Sequence, residues 1–82
     1  MKQITSTRNP QVRAWRQLQS PAGRRAQRQF LAEGEHVSQE AVKAGAATAL
    51  IIREGSQARY APLTAGGLPV FLVSGEVIQS IS

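Results

Sequence analysis

The side chains that could carry out catalysis are scarce in this sequence. His36 is the only histidine among the 82 residues, and cysteine and aspartate are absent. Nucleophilic sites of the Ser-His-Asp or Cys-His type therefore cannot be assembled. His36 and Glu40 lie one helical turn apart and could share a metal ion, but two ligands do not complete a metal site. Gly66-Gly67 lacks the lysine and the strand-turn-helix setting of a phosphate-binding loop, so the sequence predicts no catalytic, metal-binding or cofactor-binding residue.

Arginine supplies the one chemistry for which the sequence is well equipped. Residues 1–28 contain seven basic side chains and no acidic one, while residues 29–82 contain three basic and five acidic side chains. A solvated positive face that only keeps the domain in solution is the alternative, but a guanidinium group matches phosphate oxygens and stacks on bases. We therefore expect a polyanionic partner. The arginines of this segment are the expected phosphate contacts: Arg8, Arg13, Arg16, Arg24, Arg25 and Arg28.

Two helices are expected to carry these arginines. Asn9-Pro10 and Ser20-Pro21 each place a capping residue before a proline, which is typical of a helix start. In the first helix a buried face recurs every three residues, with Arg13 and Arg16 on the opposite side. The residues of that buried face are Val12, Trp15 and Leu18. Trp15 is thereby expected in the core, which leaves Tyr60, in a later loop, as the more exposed candidate for stacking on a base.

Beyond the basic segment, short apolar runs alternate with helical patterns. We expect strands at residues 30–32, 49–52 and 70–73. One helix is expected at residues 35–44, with Val37, Ala41 and Ala44 facing inwards and Gly45 ending it, and another from Ser74 onwards. Residues 54–69 predict a loop with one weak helical turn. This alternation predicts an α/β fold with a small parallel or mixed sheet and helices on its faces.

Length and composition limit the class of protein further. Eighty-two residues suffice for one compact domain, and the 41% of hydrophobic residues allow a packed core. The apolar runs are too short to span a bilayer, and no apolar segment of a signal peptide follows the N-terminus. We therefore expect a soluble, cytoplasmic domain without a membrane partner.

Several motifs occur in an order that resembles a known family. They are Ile4-Thr5-Ser6, Asn9-Pro10, Val12 with Leu18, arginine at 24–25, residues 30–34 (Phe-Leu-Ala-Glu-Gly), Val37 with Ala41-Val42, Val73-Ser74 and Ile81-Ser82. This order resembles the N-terminal substrate-binding domain of the SpoU (TrmH-like) family of RNA 2′-O-ribose methyltransferases. The resemblance covers essentially the whole chain. The sequence departs from the family pattern at residues 20–23, where the family often has lysines ahead of the position of Arg24.

The resemblance implies a fold and a function for the chain. It implies a small α/β/α sandwich of the ribosomal-protein type, with a mixed sheet, that binds ribosomal or transfer RNA. A knotted SPOUT domain would follow residue 82, hold S-adenosylmethionine, dimerise and methylate a ribose, while the isolated 82-residue domain would be monomeric and non-catalytic. Glu33-Gly34 would shape a turn. The RNA-binding positions that the resemblance carries over are Arg8, Asn9, Arg13, Arg24, Arg25 and Arg28.

Two alternatives remain open from the sequence. One is a free-standing ribosomal or kink-turn-binding protein with the same fold, and a SPOUT domain encoded directly after Ser82 would exclude it. The other is a regulatory domain whose basic face binds an acidic protein. A titration with RNA at rising salt tests the leading hypothesis, because phosphate contacts release counterions and require an affinity that falls steeply with salt. An affinity that does not change with salt would contradict it.

Overall fold

A computed structural model describes all residues, 1–82. It contains one β-sheet of three short parallel strands. They are β1 (Lys2–Ile4), β2 (Leu50–Arg53) and β3 (Val70–Val73). The strand order is β1-β3-β2, with Ile4 opposite Val73 and Ile52 opposite Leu72. The first strand of the chain is therefore paired with the last one, and β1 and β2 form the two edges of the sheet.

Five helices and one 3-10 turn connect and follow the strands. The helices are α1 (Pro10–Gln17), α2 (Pro21–Gln27), α3 (Glu35–Lys43), α4 (Ala61–Thr64) and α5 (Gly75–Ile81), and the 3-10 turn is Ala58–Tyr60. The side chains of Asn9, Ser20 and Ser74 cap α1, α2 and α5 by accepting hydrogen bonds from backbone N–H groups of the first turn. A segment that crosses a bilayer would have to be longer and more apolar than any of these helices.

The main hydrophobic core lies between one face of the sheet and the helices α1 and α5. Val12, Val73 and Val77 are completely buried at its centre. Ile4, Trp15 and Ile81 complete the cluster. The Trp15 ring meets the Phe71 ring edge-on, with 5.1 Å between the ring centroids, a favourable aromatic geometry. Each of these buried side chains contributes about 1.5–3 kcal/mol to folding, so this face supplies most of the core.

A smaller core covers the other face of the sheet. Leu50, Ile52 and Val70 are buried there. Val42 of α3 and Leu63 of α4 pack against them, together with Tyr60. No residue of α3 or α4 is itself buried, so these helices cover the sheet more loosely than α1 and α5 do.

The sequence predictions for the architecture are largely confirmed. The fold is α/β with helices on both faces of the sheet, as expected. All strand pairs are parallel, so the mixed sheet that the resemblance implied is replaced by a fully parallel one, because helices lie in both connections between strands and allow a crossover. Gly45 follows the end of α3 with a φ of 70°, the left-handed conformation that glycine adopts without strain.

The prediction of a strand at residues 30–32 is wrong. Arg28 ends α2 in the left-handed conformation, with φ 54° and ψ 39°, and residues 29–33 then belong to no helix or strand. Leu31 packs against the main core, while Phe30 is 67% exposed. An apolar run forms a strand only where a neighbouring strand completes its backbone hydrogen bonds, and β2 pairs only with β3.

The predicted inner face of α3 is also corrected. Val37 is 49% exposed, and Ala44 is exposed as well, whereas Ala41 and Val42 are half-buried. The helix is therefore rotated so that Val42, rather than Val37, packs against the sheet. Helical periodicity alone does not decide which face points inwards, because α3 carries one valine on each of these two faces.

The close approach of α1 and α2 predicts a destabilising substitution. A Cβ atom at Gly23 would overlap the carbonyl oxygen of Gln17 and lie 2.6 Å from its carbonyl carbon. We expect Gly23→Ala to lower the free energy of unfolding by about 1–3 kcal/mol, because the backbone of Gln17 must move. Urea denaturation measures this difference. Gly66→Ala is the control, since its Cβ would meet only the Leu63 carbonyl oxygen at 3.5 Å, and equal stability of the two variants would contradict the prediction.

Candidate nucleic-acid interface

The predicted RNA-binding residues lie on and around the hairpin formed by α1 and α2. Polar contacts hold the two helices together: the Gln27 side chain donates a hydrogen bond of 2.8 Å to the Ala14 carbonyl oxygen. Arg24 Nη1 donates one of 3.0 Å to the Leu18 carbonyl oxygen. Because the buried side of α1 packs on the sheet through Val12 and Trp15, the charged residues of the hairpin remain on its outer side.

The structure brings three of these arginines into one groove. Arg24, Arg25 and Arg28 line an open groove of about 820 Å³ beside the end of α5. Arg25 and Arg28 are exposed, whereas Arg24 is half-buried and uses one guanidinium nitrogen to satisfy the end of α1. Phe30 and Glu33 line the same groove. The groove therefore offers guanidinium groups, one aromatic ring and one carboxylate.

The remaining predicted residues lie along α1 and at its start. Arg8 is exposed in the connection before the helix, and Arg13 is exposed in its middle. Arg16, also exposed, donates a hydrogen bond of 2.9 Å from Nη2 to the Thr7 carbonyl oxygen. An eight-residue helix is about 12 Å long, so Arg8 lies at the opposite end of α1 from α2. The predicted residues thus form one group in the groove and a second group along α1.

Asn9 has a structural role within this second group. Its side-chain oxygen accepts a hydrogen bond of 2.8 Å from the backbone N–H of Gln11. This contact caps α1 and uses one of the two lone pairs of the side-chain oxygen. The amide nitrogen of Asn9 remains the group that can donate to a phosphate.

None of the arginines of residues 1–28 is neutralised by an ion pair. The one salt bridge of the domain joins Arg59 and Glu35 at 3.0 Å, and both residues lie outside this segment. Glu33 lines the groove but forms no ion pair within 4.0 Å. The positive charge of α1 and α2 therefore stays available to an external anion.

The aromatic side chains differ in how far they are exposed to solvent. Trp15 is 7% exposed and belongs to the main core, which confirms its expected packing role. Tyr60 is half-buried against the smaller core, so it is less available for stacking than its loop position indicated. Phe30 is the exposed aromatic of the domain. Sequence reasoning missed it because it begins an apolar run, although its position directly after the last basic residues was visible.

The side chains of this domain can be compared with the needs of S-adenosylmethionine, the cofactor that the resemblance implies. No group of three or more potential metal-ligating side chains comes together, and no polar or charged residue is buried. S-adenosylmethionine carries charged and hydroxyl groups that need buried polar partners. The residues of this chain therefore do not fit that cofactor, and binding of a polyanion at the surface is the chemistry that its arginines can support.

Comparisons with known proteins identify the family to which the chain is similar. Residues 9–82 match the family described as the MRM3-like substrate binding domain. The chain is also 28% identical over 83 residues to the 23S rRNA (guanosine(2553)-2′-O)-methyltransferase RlmP of Bacillus subtilis (strain 168), an alignment that covers 100% of this chain and 33% of that protein. The chain thus spans about a third of the length of this relative. No solved structure matches the chain.

Capping and nucleic-acid contact at Asn9 can be separated by substitution. Asn9→Ala removes the oxygen that accepts from Gln11, and we expect it to lower the free energy of unfolding by about 0.5–2 kcal/mol. Asn9→Asp keeps this oxygen and adds a negative charge, so its stability should equal that of the parent, while its affinity for RNA should fall if this end of α1 contacts phosphate. Urea denaturation and fluorescence anisotropy measure the two effects. A full loss of stability in Asn9→Asp would contradict the capping role.

Proposed function

The chain belongs to the MRM3-like substrate binding domain family, and from this membership we propose that it binds RNA through the arginines of the α1–α2 hairpin. The RNA is ribosomal, or alternatively transfer RNA. The relative RlmP is named as a methyltransferase of 23S rRNA, which favours ribosomal RNA. The proposed contacts are those predicted from the sequence: Arg8, Asn9, Arg13, Arg16, Arg24, Arg25 and Arg28.

One observation carries this proposal. The basic residues of the first third of the chain lie on two adjacent helices and their flanking turns, and none of them is bound to a carboxylate. A surface that only kept the domain in solution would not require this separation from the five acidic residues. Unpaired guanidinium groups at neighbouring positions can bind successive phosphates of one RNA backbone.

The proposed mechanism is positional. Phosphate contacts fix the register and the orientation of a nucleic acid but carry little sequence information. The domain would hold a structured RNA so that one ribose 2′-hydroxyl reaches a catalytic SPOUT domain following residue 82. That domain would bind S-adenosylmethionine, supply the methyl group and form the dimer. The role of the present chain is then to bind and orient the substrate, and it takes no part in the transfer itself.

Replacement of the groove arginines tests the proposal. We expect the variant Arg24→Ala/Arg25→Ala/Arg28→Ala to bind RNA about ten- to a hundredfold more weakly, because each exposed contact contributes modestly. The slope of log affinity against log salt should also become shallower by about 2–3, since fewer counterions are released on binding. Fluorescence anisotropy with a ribosomal RNA fragment at several salt concentrations measures both quantities.

A variant with the same change of charge is the control. Lys43→Ala/Arg53→Ala/Arg59→Ala removes three positive charges outside the hairpin, and it should bind RNA almost as the parent does. Because Arg24 also satisfies the Leu18 carbonyl oxygen, Arg25→Gln/Arg28→Gln is compared as well, with circular dichroism as the measure of folding. Equal weakening by the two triple variants would show that only net charge matters and would contradict the assigned surface.

A further inference from the structure

The exposed Phe30 lies in the groove of the three arginines. It is 67% exposed. Among the large hydrophobic residues, only Met1 is more exposed. Burial of a phenylalanine side chain favours folding, and the exposed Phe30 gains little of this stabilisation. A single exposed apolar residue is ordinary on a protein surface. The position of Phe30, among Arg24, Arg25 and Arg28, is what distinguishes it.

The local backbone explains why this ring stays outside the core. Arg28 adopts a left-handed conformation at the end of α2, and the chain continues without regular structure through residues 29–33. Leu31, three residues after Arg28, packs against the main core. Leu31 therefore anchors this segment to the domain, while Phe30 remains exposed in the groove.

An aromatic ring among guanidinium groups that have no carboxylate partner matches the chemistry of an unpaired nucleotide. Bases present flat apolar faces that stack on aromatic rings, while their flanking phosphates bind arginine. In a continuous RNA helix the bases are stacked on one another, and their faces are closed to a side chain. An apolar peptide would match the ring but not the three positive charges. Charge complementarity therefore favours a single-stranded segment of RNA over the other occupants.

Resting on the RNA binding proposed above, we propose that Phe30 stacks on an unpaired base of the docked RNA while Arg24, Arg25 and Arg28 hold the adjacent phosphates. The groove thus selects a loop, bulge or single-stranded end and not a continuous duplex. Glu33, in the same groove, accepts a hydrogen bond from an amino group on the edge of the stacked base, as carboxylates do with cytosine.

The test compares single-stranded and duplex RNA with variants of Phe30 in the 82-residue chain. Phe30→Leu keeps an apolar side chain without the ring, and Phe30→Tyr keeps the ring. We expect Phe30→Leu to bind an unstructured oligonucleotide about 5- to 100-fold more weakly, the range for loss of one stacked base, and Phe30→Tyr to bind it as the parent does. Affinity for a duplex of equal length should be lower in the parent and unchanged in both variants.

A fluorescent adenine analogue in the oligonucleotide reports stacking directly. Its emission should be quenched on binding to the parent and to Phe30→Tyr, and much less on binding to Phe30→Leu. Val37→Ala is the matched control, because Val37 is an exposed apolar residue on α3 outside the groove, and it should change neither affinity nor quenching.

The outcomes separate this inference from the proposed function. If the parent binds both RNA forms equally and Phe30→Leu has no effect, while the triple arginine variant still weakens binding, the stacking inference is wrong and RNA docking survives. If the parent binds neither RNA, both fail. Tighter binding of polyglutamate than of RNA would identify an acidic protein as the partner and overturn both proposals as well. Loss of affinity in Phe30→Leu with full rescue in Phe30→Tyr supports stacking, because a role in folding would not require the ring to be retained.

Discussion

The contact between the two ends of the chain is the interaction on which the domain depends. Val12 of α1 and Val77 of α5 meet Val73 of the central strand, and all three are completely buried. β1 adds to this contact by pairing with β3. These segments are far apart in sequence, so the main core is built from long-range contacts. The α1–α2 hairpin can present its charges only after this core has fixed α1 against the sheet.

The composition of the core also determines where the charges lie. No polar or charged residue is buried, so folding desolvates no charged group completely and requires no internal ion pair. The guanidinium groups of the first third of the chain remain at the surface without carboxylate partners. Because the core is apolar, the domain can fold while one side carries arginines without carboxylate partners, as the proposed RNA binding requires.

Some polar residues of the α1–α2 hairpin stabilise its backbone, and others make no such contact. Asn9 and Arg24 satisfy backbone groups at the start and the end of α1, so part of their bonding capacity is used for folding. Arg25 and Arg28 have no such contact and stay exposed. The proposed phosphate-binding surface therefore overlaps with the residues that cap α1, and the arginines without such a backbone contact are the clearest candidates for RNA contacts.

Local patterns in the sequence determined the helices, their caps, the strands β2 and β3 and the concentration of charge, because capping, periodicity and composition act over a few residues. The positions predicted to touch RNA remain predictions. Only the tertiary structure decided that residues 30–32 stay outside the sheet and that Val42, not Val37, packs inwards. A strand forms only beside a neighbouring strand that completes its hydrogen bonds, and the buried face of a helix depends on the surface against which the helix packs. Both are supplied by residues distant in sequence, so Phe30 became a candidate binding residue only in the folded domain.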